Sequence, residues 1–245
     1  MSLICHLILC LIPRLKRAVF KPFFYYIFTL FKFEKNIIIM GEEIPAVKIA
    51  IFASGQGTNA RQIIRYFHDM DHKVLDTRVE ISLVVCNKPE AGVVDVAREA
   101  GIPVLLIEKE KFFRGSHYLE EFYDRHISFI VLAGFLWKIP LELIRAYPDR
   151  ILNIHPALLP DYGGKGMYGS AVHKAVIEAG EKESGISIHF VDEIYDHGRI
   201  FFQASCPVSP DETSESLSEK IHELEYKHYP EQIARWMESK LSLNP

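Results

Sequence analysis

The chain has 245 residues, of which 49% are hydrophobic, so it is long enough and apolar enough to bury a globular core. Its formal net charge of −4 argues against a general nucleic-acid-binding protein. The four cysteines show neither a CxxC pair nor metal-ligand spacing, so they indicate no disulfide framework and no metal site, and a reducing cytoplasm fits them better.

Residues 1–39 differ in composition from the rest of the chain. Residues 1–40 carry six Lys or Arg and one acid, a net charge of +5, which leaves −9 for the other 205 residues. Two apolar runs there, of about ten residues each, are shorter than the ~17–25 residues that span a bilayer, and neither has the order of a secretory signal. One interpretation is a basic, aromatic membrane-surface segment. We prefer the other, upstream sequence read through from a wrongly assigned start, with residues 40–245 forming a single domain.

From residue 47 onward, β-rich runs alternate with helical patterns. The predicted strands are 47–54, 79–86, 102–108, 129–135 and 151–155, and the predicted helices are 59–70, 93–101, 117–126 and 140–148. Runs of Val, Ile and Leu between amphipathic helices are typical of parallel strands that are covered on both faces. Runs 184–193 and 198–208 then indicate a hairpin, and a helix is predicted from about 215 to 239. The sequence therefore predicts an α/β fold: an open, doubly wound, mostly parallel sheet with helices on both faces and a C-terminal β-hairpin plus long helix.

The segment SGQGTNA, residues 54–60, directly follows the first predicted strand. Backbone N–H groups of such a loop, together with a helix N-terminus, favour a phosphate. The segment lacks the G-K-[ST] ending of a P-loop but satisfies G-x-G-x-x-A, so a dinucleotide site has to be considered. Because the second strand ends in Cys86-Asn87-Lys88-Pro89 rather than in an acid for a ribose, a phosphate monoester fits better than NAD. The alternative is a plain tight turn capped by Thr58 or Asn59.

The segment LNIHPALLP, residues 152–160, places Asn153 and His155 two apart at the end of a predicted strand, and therefore on one face. In open α/β sheets, ligands bind at the carboxyl ends of the strands. An amide N–H and an imidazolium N–H aimed at one point could hold a developing oxyanion. No Ser or Cys stands in an elbow-type motif, which favours direct transfer to a nucleophile supplied by the substrate. Structural capping of the strand end is the alternative.

The turn VDEIYDHGRI, residues 191–200, holds three acids in five residues: Asp192, Glu193 and Asp196. An aspartate near His155 would favour the charged imidazolium and tune it as a general acid, whereas the alternative is a solvated turn. The residues His189 and His197 are interpreted as incidental. The glycine loop GGKGMYG, residues 163–169, is either a lid or a plain connector.

Taken together, these segments resemble the phosphoribosylglycinamide formyltransferases of purine biosynthesis, within the formyl-folate transferase superfamily, over roughly residues 47–235. The resemblance is carried by SGQGTN, LAGFLWKIP at 132–140, LNIHPALLP and the hairpin with Asp196. It implies that the primary amine of glycinamide ribonucleotide attacks the formyl carbon of the co-substrate 10-formyltetrahydrofolate, without a metal. Asn153 and His155 would stabilise the oxyanion, His155 would also protonate the leaving folate nitrogen, and Asp196 would keep His155 protonated.

The resemblance also implies binding residues. Those for the ribonucleotide are Gly57, Thr58, Asn59 and Glu225, the last of which would hold the substrate amine. Those for the folate are Leu136, Trp137, Lys138, Ile139, Asp192, Glu193, Ile194, Tyr195, Asp196 and Arg114. The chain departs from many members of the family in three places. They have Arg where this chain has Trp137, and their glycine loop differs. Arg114 is only an approximate counterpart of a basic residue that meets the folate tail. The expected partners are small-molecule substrates in the cytoplasm, with no nucleic acid and with no membrane for the folded body.

Rival functions share parts of these motifs. Methionyl-tRNA formyltransferase uses the same Asn-x-His and Asp chemistry but would need a further C-terminal domain and a basic path for tRNA, whereas the body of this chain is acidic. Formyltetrahydrofolate hydrolase carries a regulatory domain ahead of its core, for which the first 46 residues are too few and too apolar. A non-catalytic nucleotide-binding module and a dinucleotide-dependent oxidoreductase are the alternatives outside the superfamily.

Overall fold

The computed structural model describes residues 46–70, 72–114 and 116–242. All of them belong to one structural unit, residues 44–245. The interpretations given above for residues 1–39 lie outside the described residues. Among the helices of the described part, none is both long and apolar enough to cross a membrane.

A single sheet of eight strands runs through the described residues. In chain order the strands are β1 (Ala46–Ala53), β2 (Lys73–Val74), β3 (Thr77–Cys86), β4 (Val104–Leu106), β5 (Ile127–Leu132), β6 (Ile151–His155), β7 (Glu183–Phe190) and β8 (Ile200–Pro207). The spatial order is β2-β3-β1-β5-β6-β7-β8, and β4 also pairs with β3. The pairs β1–β3, β1–β5, β3–β4 and β5–β6 are parallel, and β7 and β8 form an antiparallel hairpin next to β6. The predicted mostly parallel sheet is therefore confirmed.

Seven helices accompany the sheet in the described part of the chain. They are α1 (Thr58–Ile64), α2 (Gly92–Glu99), α3 (Lys109–Phe113), α4 (Leu119–Asp124), α5 (Leu141–Ala146), α6 (Ser170–Glu178) and α7 (Ser214–Leu241). Helix α1 continues as a π-helical turn over Arg65–Asp69, which accounts for the single longer helix predicted at 59–70. Helix α6 was not predicted, and the helix predicted at 117–126 is only six residues long.

Two hydrophobic cores cover the two faces of the sheet, because alternate residues of β1 point in opposite directions. Ile49 and Ile51 join the core that includes Val93 of α2 and Trp236 of α7. Phe52 joins the other core, which includes residues of α3, α4 and α5. All three β1 side chains are fully buried, so the unbroken apolar run of this strand reflects burial on both faces.

The long helix α7 is fixed at both its start and its middle. Thr213 and Ser216 form a capping box, in which the Thr213 hydroxyl accepts from the Ser216 N–H at 3.1 Å. Further along, the buried Tyr229 hydroxyl shares its proton between the carbonyl oxygens of Leu132, at 2.8 Å, and Leu152, at 3.2 Å. This contact ties α7 to the adjacent strands β5 and β6.

The direction of chain winding changes at β1, since β3 lies on one side of it and β5 on the other. At such a switch point the loops leaving the two strands diverge and open a crevice outside their carboxyl ends. The carboxyl ends of β1, β5 and β6 are therefore where the topology favours a ligand.

Candidate active site

A cavity of about 800 Å³ lies at these carboxyl ends. Its wall is formed by residues 55–59 after β1, 132–139 after β5, 153–156 at the end of β6, 164–169 of the glycine loop, 170 and 173 of α6, 189, 191, 192 and 194–196 around the end of β7, and three residues of α7. Every segment that the sequence singled out for chemistry contributes to this one cavity.

Asn153, His155 and Asp196 come together in the cavity wall. Strand β6 supplies the first two, and the loop between β7 and β8 supplies the aspartate. His155 is 3% exposed, and its Nδ1 lies 3.6 Å from Asp196 Oδ2. Its Nε2 donates to the carbonyl oxygen of Tyr162 at 2.8 Å, so Nδ1 is the ring nitrogen that is turned toward Asp196. At 3.6 Å the aspartate acts on the imidazole through its charge rather than through a direct hydrogen bond.

His189, which was interpreted as incidental from the sequence, also belongs to this cluster. Antiparallel pairing sets His189 opposite Asn153, and Asn153 Nδ2 lies 3.0 Å from His189 Nε2. His189 Nδ1 donates to the Phe190 carbonyl oxygen at 2.8 Å, which leaves Nε2 as the acceptor for the amide. Nε2 is also 3.5 Å from Asp196 Oδ1. His189 therefore fixes the orientation of the Asn153 side chain.

Burial and neighbouring charges act in opposite directions on the pKa values of this cluster. Burial lowers the pKa of His155, and the nearby Asp196, which acts in the opposite direction, does not cancel that effect. Burial would raise the pKa of Asp196, but contact with His189, the nearby His155 and the N–H of Gly164 hold it below its ordinary value. The direction for His155 runs against the expectation that Asp196 keeps this ring protonated, because burial penalises the charged ring more strongly than the aspartate stabilises it.

The backbone around Asp196 is closely fitted to the glycine loop. Asp196 adopts a left-handed conformation, with φ of 56°, and its Oδ2 accepts from the Gly164 N–H at 2.9 Å. A Cβ on Gly163 would lie 3.2 Å from the Asp196 Cβ and 2.6 Å from Leu159 Cδ2. The start of the glycine loop is thus held against the aspartate, whichever of its two proposed roles the loop has.

The loop after β1 adopts a conformation that requires glycine. Gly57 precedes α1 with φ of 76°, and a Cβ there would lie 2.7 Å from the Val93 Cα. No side chain caps α1, so the alternative of a turn capped by Thr58 or Asn59 was wrong. The first N–H groups of a helix have no partner within the helix, and Gly57, Thr58 and Asn59 at this helix start all line the cavity.

Asn59 connects this loop to Glu225 of α7. Its Nδ2 donates to Glu225 Oε2 at 2.9 Å, while its Oδ1 is buried without a hydrogen-bond partner among the described residues. Glu225 is 6% exposed, and burial raises its pKa to about 7, although the hydrogen bond from Asn59 works against this rise. Both residues line the cavity, and the Glu225 carboxylate can accept hydrogen bonds, which suits a ligand that brings hydrogen-bond donors.

Most of the residues predicted for the folate also line the cavity: Leu136, Trp137, Lys138, Ile139, Asp192, Ile194, Tyr195 and Asp196. Trp137 packs on Phe112 and Phe113, with ring centroids 5.9 and 5.8 Å apart. Glu193 and Arg114 are exposed and lie outside the cavity wall, Arg114 at the end of α3. In the part of the chain that the structure describes, no group of three or more His, Cys, Asp or Glu converges in a way that could hold a metal ion.

Helices α6 and α7 add cavity residues that the sequence interpretation missed: His173, Ser218 and His222. Ser218, His222 and Glu225 recur at i, i+4 and i+7, so helical periodicity could have placed them on one face of α7. His173 could not be found in this way, because α6 itself was not predicted.

Comparisons with known proteins show which family the chain is similar to. The model of the formyl transferase family matches residues 47–233. The phosphoribosylglycinamide formyltransferase of Haemophilus influenzae is 34% identical over 203 residues, which cover 80% of this chain and 90% of that protein. The chloroplastic phosphoribosylglycinamide formyltransferase of Arabidopsis thaliana is 41% identical over 199 residues, or 79% of this chain. The crystal structure of the enzyme of that name from Bacillus halodurans has a TM-score of 0.68 at 33% identity, covering 77% of this chain and 94% of that one.

The matched region is shorter than some of these relatives. The chain spans 66% of the length of the Arabidopsis thaliana protein and 62% of its counterpart from Vigna unguiculata.

Proposed function

The chain belongs to the formyl transferase family, and we propose that it transfers the formyl group of 10-formyltetrahydrofolate to the primary amine of glycinamide ribonucleotide in de novo purine biosynthesis. The observation that carries this proposal is the cluster of Asn153 and His155 from β6 with Asp196 from the β7–β8 loop, in the wall of a cavity of about 800 Å³. The cluster offers proton transfer and oxyanion stabilisation but no nucleophilic side chain. The nucleophile is therefore the amine of the acceptor substrate.

The charge state of the cluster suggests the order of proton transfers. The amine nitrogen attacks the formyl carbon and forms the new C–N bond, while the carbonyl electron pair moves onto oxygen. Neutral His155 accepts the amine proton at Nδ1 and becomes an imidazolium beside the Asp196 carboxylate, which is 3.6 Å away. The oxyanion is stabilised by the Asn153 amide N–H that is not used by His189 and by the new imidazolium.

Collapse of the tetrahedral intermediate completes the transfer. The bond between the formyl carbon and the folate nitrogen breaks, and the proton on His155 Nδ1 passes to that nitrogen. The products are the formylated ribonucleotide and tetrahydrofolate, and His155 returns to its neutral form. Asp196 lowers the free energy of the charged intermediate state, since its carboxylate compensates the imidazolium within a buried site.

The two substrates occupy different ends of the cavity in this proposal. The loop at Gly57, Thr58 and Asn59 holds the phosphate through backbone N–H groups, and the Glu225 carboxylate holds the substrate amine. The wall formed by Leu136–Ile139 and the loop 192–196 holds the folate. Arg114, which is exposed at the end of α3, would reach the folate tail only outside the cavity.

The cytoplasm is the compartment we propose for this reaction. The two cysteines in the described residues, Cys86 and Cys206, are free thiols, which fits a reducing environment. Fractionation of the native cells, with formyl transfer assayed in each fraction, tests this; activity confined to a membrane or organelle fraction would contradict it.

A spectroscopic assay of formyl loss tests the proposed reaction. The full chain is mixed with 10-formyltetrahydrofolate and, in three samples, with glycinamide ribonucleotide, with charged initiator tRNA or with no acceptor. We expect turnover with the ribonucleotide alone. Turnover with the tRNA would favour the methionyl-tRNA formyltransferase reaction, deformylation without acceptor would favour the hydrolase, and no turnover by the folded protein would refute the proposal.

A further inference from the structure

His173 has no part in the reaction described above, yet it lines the same cavity. It lies in the first turns of α6, directly after the glycine loop, and is 3% exposed. A histidine so deeply buried in a cavity wall has to satisfy two ring nitrogens in a confined space. How it does so indicates what it can bind.

The hydrogen-bond environment of His173 determines its tautomer. Its Nδ1 is buried and has no hydrogen-bond partner among the described residues. A buried N–H without an acceptor costs free energy, so Nδ1 carries the lone pair and the proton resides on Nε2. Burial, followed by the nearby His222 and His155, lowers the pKa of His173, so the ring is neutral. The Nε2–H is therefore the donor of this ring, and His173 lines the cavity.

The start of α6 adds further donors to this side of the cavity. Gly169 precedes the helix, and no side chain caps its N–H groups. Residues 169 and 170 both line the cavity. The partial positive charge of a helix N-terminus favours an oxygen acceptor here, as does the Nε2–H of His173. We call this side, formed by residues 169, 170 and 173, the donor wall.

The cavity also presents an acceptor. The Glu225 carboxylate lines it and accepts a hydrogen bond from Asn59 Nδ2 at 2.9 Å. A molecule bound in this part of the cavity needs a donor toward Glu225 and an acceptor toward the donor wall. Glycinamide ribonucleotide meets this requirement, because it carries an amine together with carbonyl, hydroxyl and phosphate oxygens.

We propose that His173 is a binding residue for the ribonucleotide and donates a hydrogen bond from Nε2 to one of its oxygens near the reacting amine. This inference rests on the proposed function and refines it, because it assigns one contact of the acceptor substrate to α6. His173 selects the acceptor by hydrogen bonding, while the folate binds without it.

Two substitutions distinguish a donor from a merely structural histidine. In His173→Gln, the amide nitrogen takes the place of Nε2 and can still donate into the cavity. In His173→Asn, the shorter amide takes the place of Nδ1 and does not reach as far. Isothermal titration of the full chain with the ribonucleotide alone, and separately with a non-reactive folate, measures binding without turnover. His117→Asn, at an exposed position, serves as the matched control.

We expect His173→Asn to weaken ribonucleotide binding about tenfold, the worth of one hydrogen bond, and to change folate binding less than twofold. The affinity of His173→Gln for each ligand should stay within about threefold of that of the original chain. The ribonucleotide KM should be raised more in His173→Asn than in His173→Gln, while kcat changes less than KM. Three outcomes would overturn the role of His173 alone. They are an equal loss of ribonucleotide affinity in both variants at unchanged melting temperature, a loss of affinity confined to the folate, and no change of affinity in either variant. Failure of the unsubstituted chain to bind the ribonucleotide would instead overturn the proposed function and, with it, this inference.

Discussion

Replacement of Glu225 by Gln should make the protein more stable at alkaline pH. Burial raises the pKa of Glu225 from 4.5 to about 7 in the folded protein, so the folded state holds this proton more tightly than the unfolded state does. The stability that the group contributes is complete below pH 4.5 and is lost as the pH rises through 7. A rise of this size corresponds to about 3 kcal/mol of unfavourable free energy for the ionised form. Gln keeps the shape and the acceptor for Asn59 but does not ionise.

Urea unfolding at pH 5 and at pH 8.5 measures this effect. Between these two values, the original chain should lose about 2–3 kcal/mol more of its free energy of unfolding than the Glu225→Gln variant. Glu223→Gln removes the same charge from an exposed position of the same helix and should behave as the original chain does. If Glu225→Gln and the original chain showed parallel pH dependence, the buried carboxylate would have an ordinary pKa and the reasoning would be refuted.

Three further substitutions test the site and the loop that supports it. Asp196→Asn should lower kcat by about 10²–10⁴-fold while ribonucleotide binding stays nearly intact, and near-normal turnover would remove Asp196 from the mechanism. Thr58→Val should raise the ribonucleotide KM more than it lowers kcat, and a change in the folate KM instead would contradict the placement of the phosphate. Gly198→Ala should destabilise the fold by about 1–3 kcal/mol or more in urea unfolding, because its Cβ would lie 1.8 Å from the Phe190 carbonyl oxygen. Gly55→Ala, where the added methyl meets nothing within 4 Å, is the control for that measurement and should change stability little.

The strands that carry the site could be predicted because their signals are local. An unbroken apolar run predicted β1, and the two-residue spacing of Asn153 and His155 placed both on one face at the end of β6. The association of Asp196 with His155 came from the resemblance to a family and was not available from spacing alone. The structure brings both side chains to the same cavity.

Other features depend on contacts between distant parts of the chain. His189 orients Asn153 only because β7 pairs antiparallel with β6 in one register, which no local pattern specifies. The charge of His155 was predicted from one neighbour, Asp196, but burial by the whole fold determines the direction of its pKa. Helix α6 was missed because it begins directly after a glycine-rich loop, where no side chain caps its N-terminus.

The attachment of α7 to the sheet has a consequence for synthesis on the ribosome. A nascent chain that has emerged as far as β8 contains every strand of the described sheet, together with Asn153, His155 and Asp196. It still lacks Glu225 of the cavity wall and the Tyr229 hydroxyl that donates to carbonyl oxygens of β5 and β6. In the proposed mechanism, such a nascent chain would carry the proton-transfer groups but could not yet bind the substrate amine beside them. The site would be complete only after the last helix has left the ribosome and packed against the sheet.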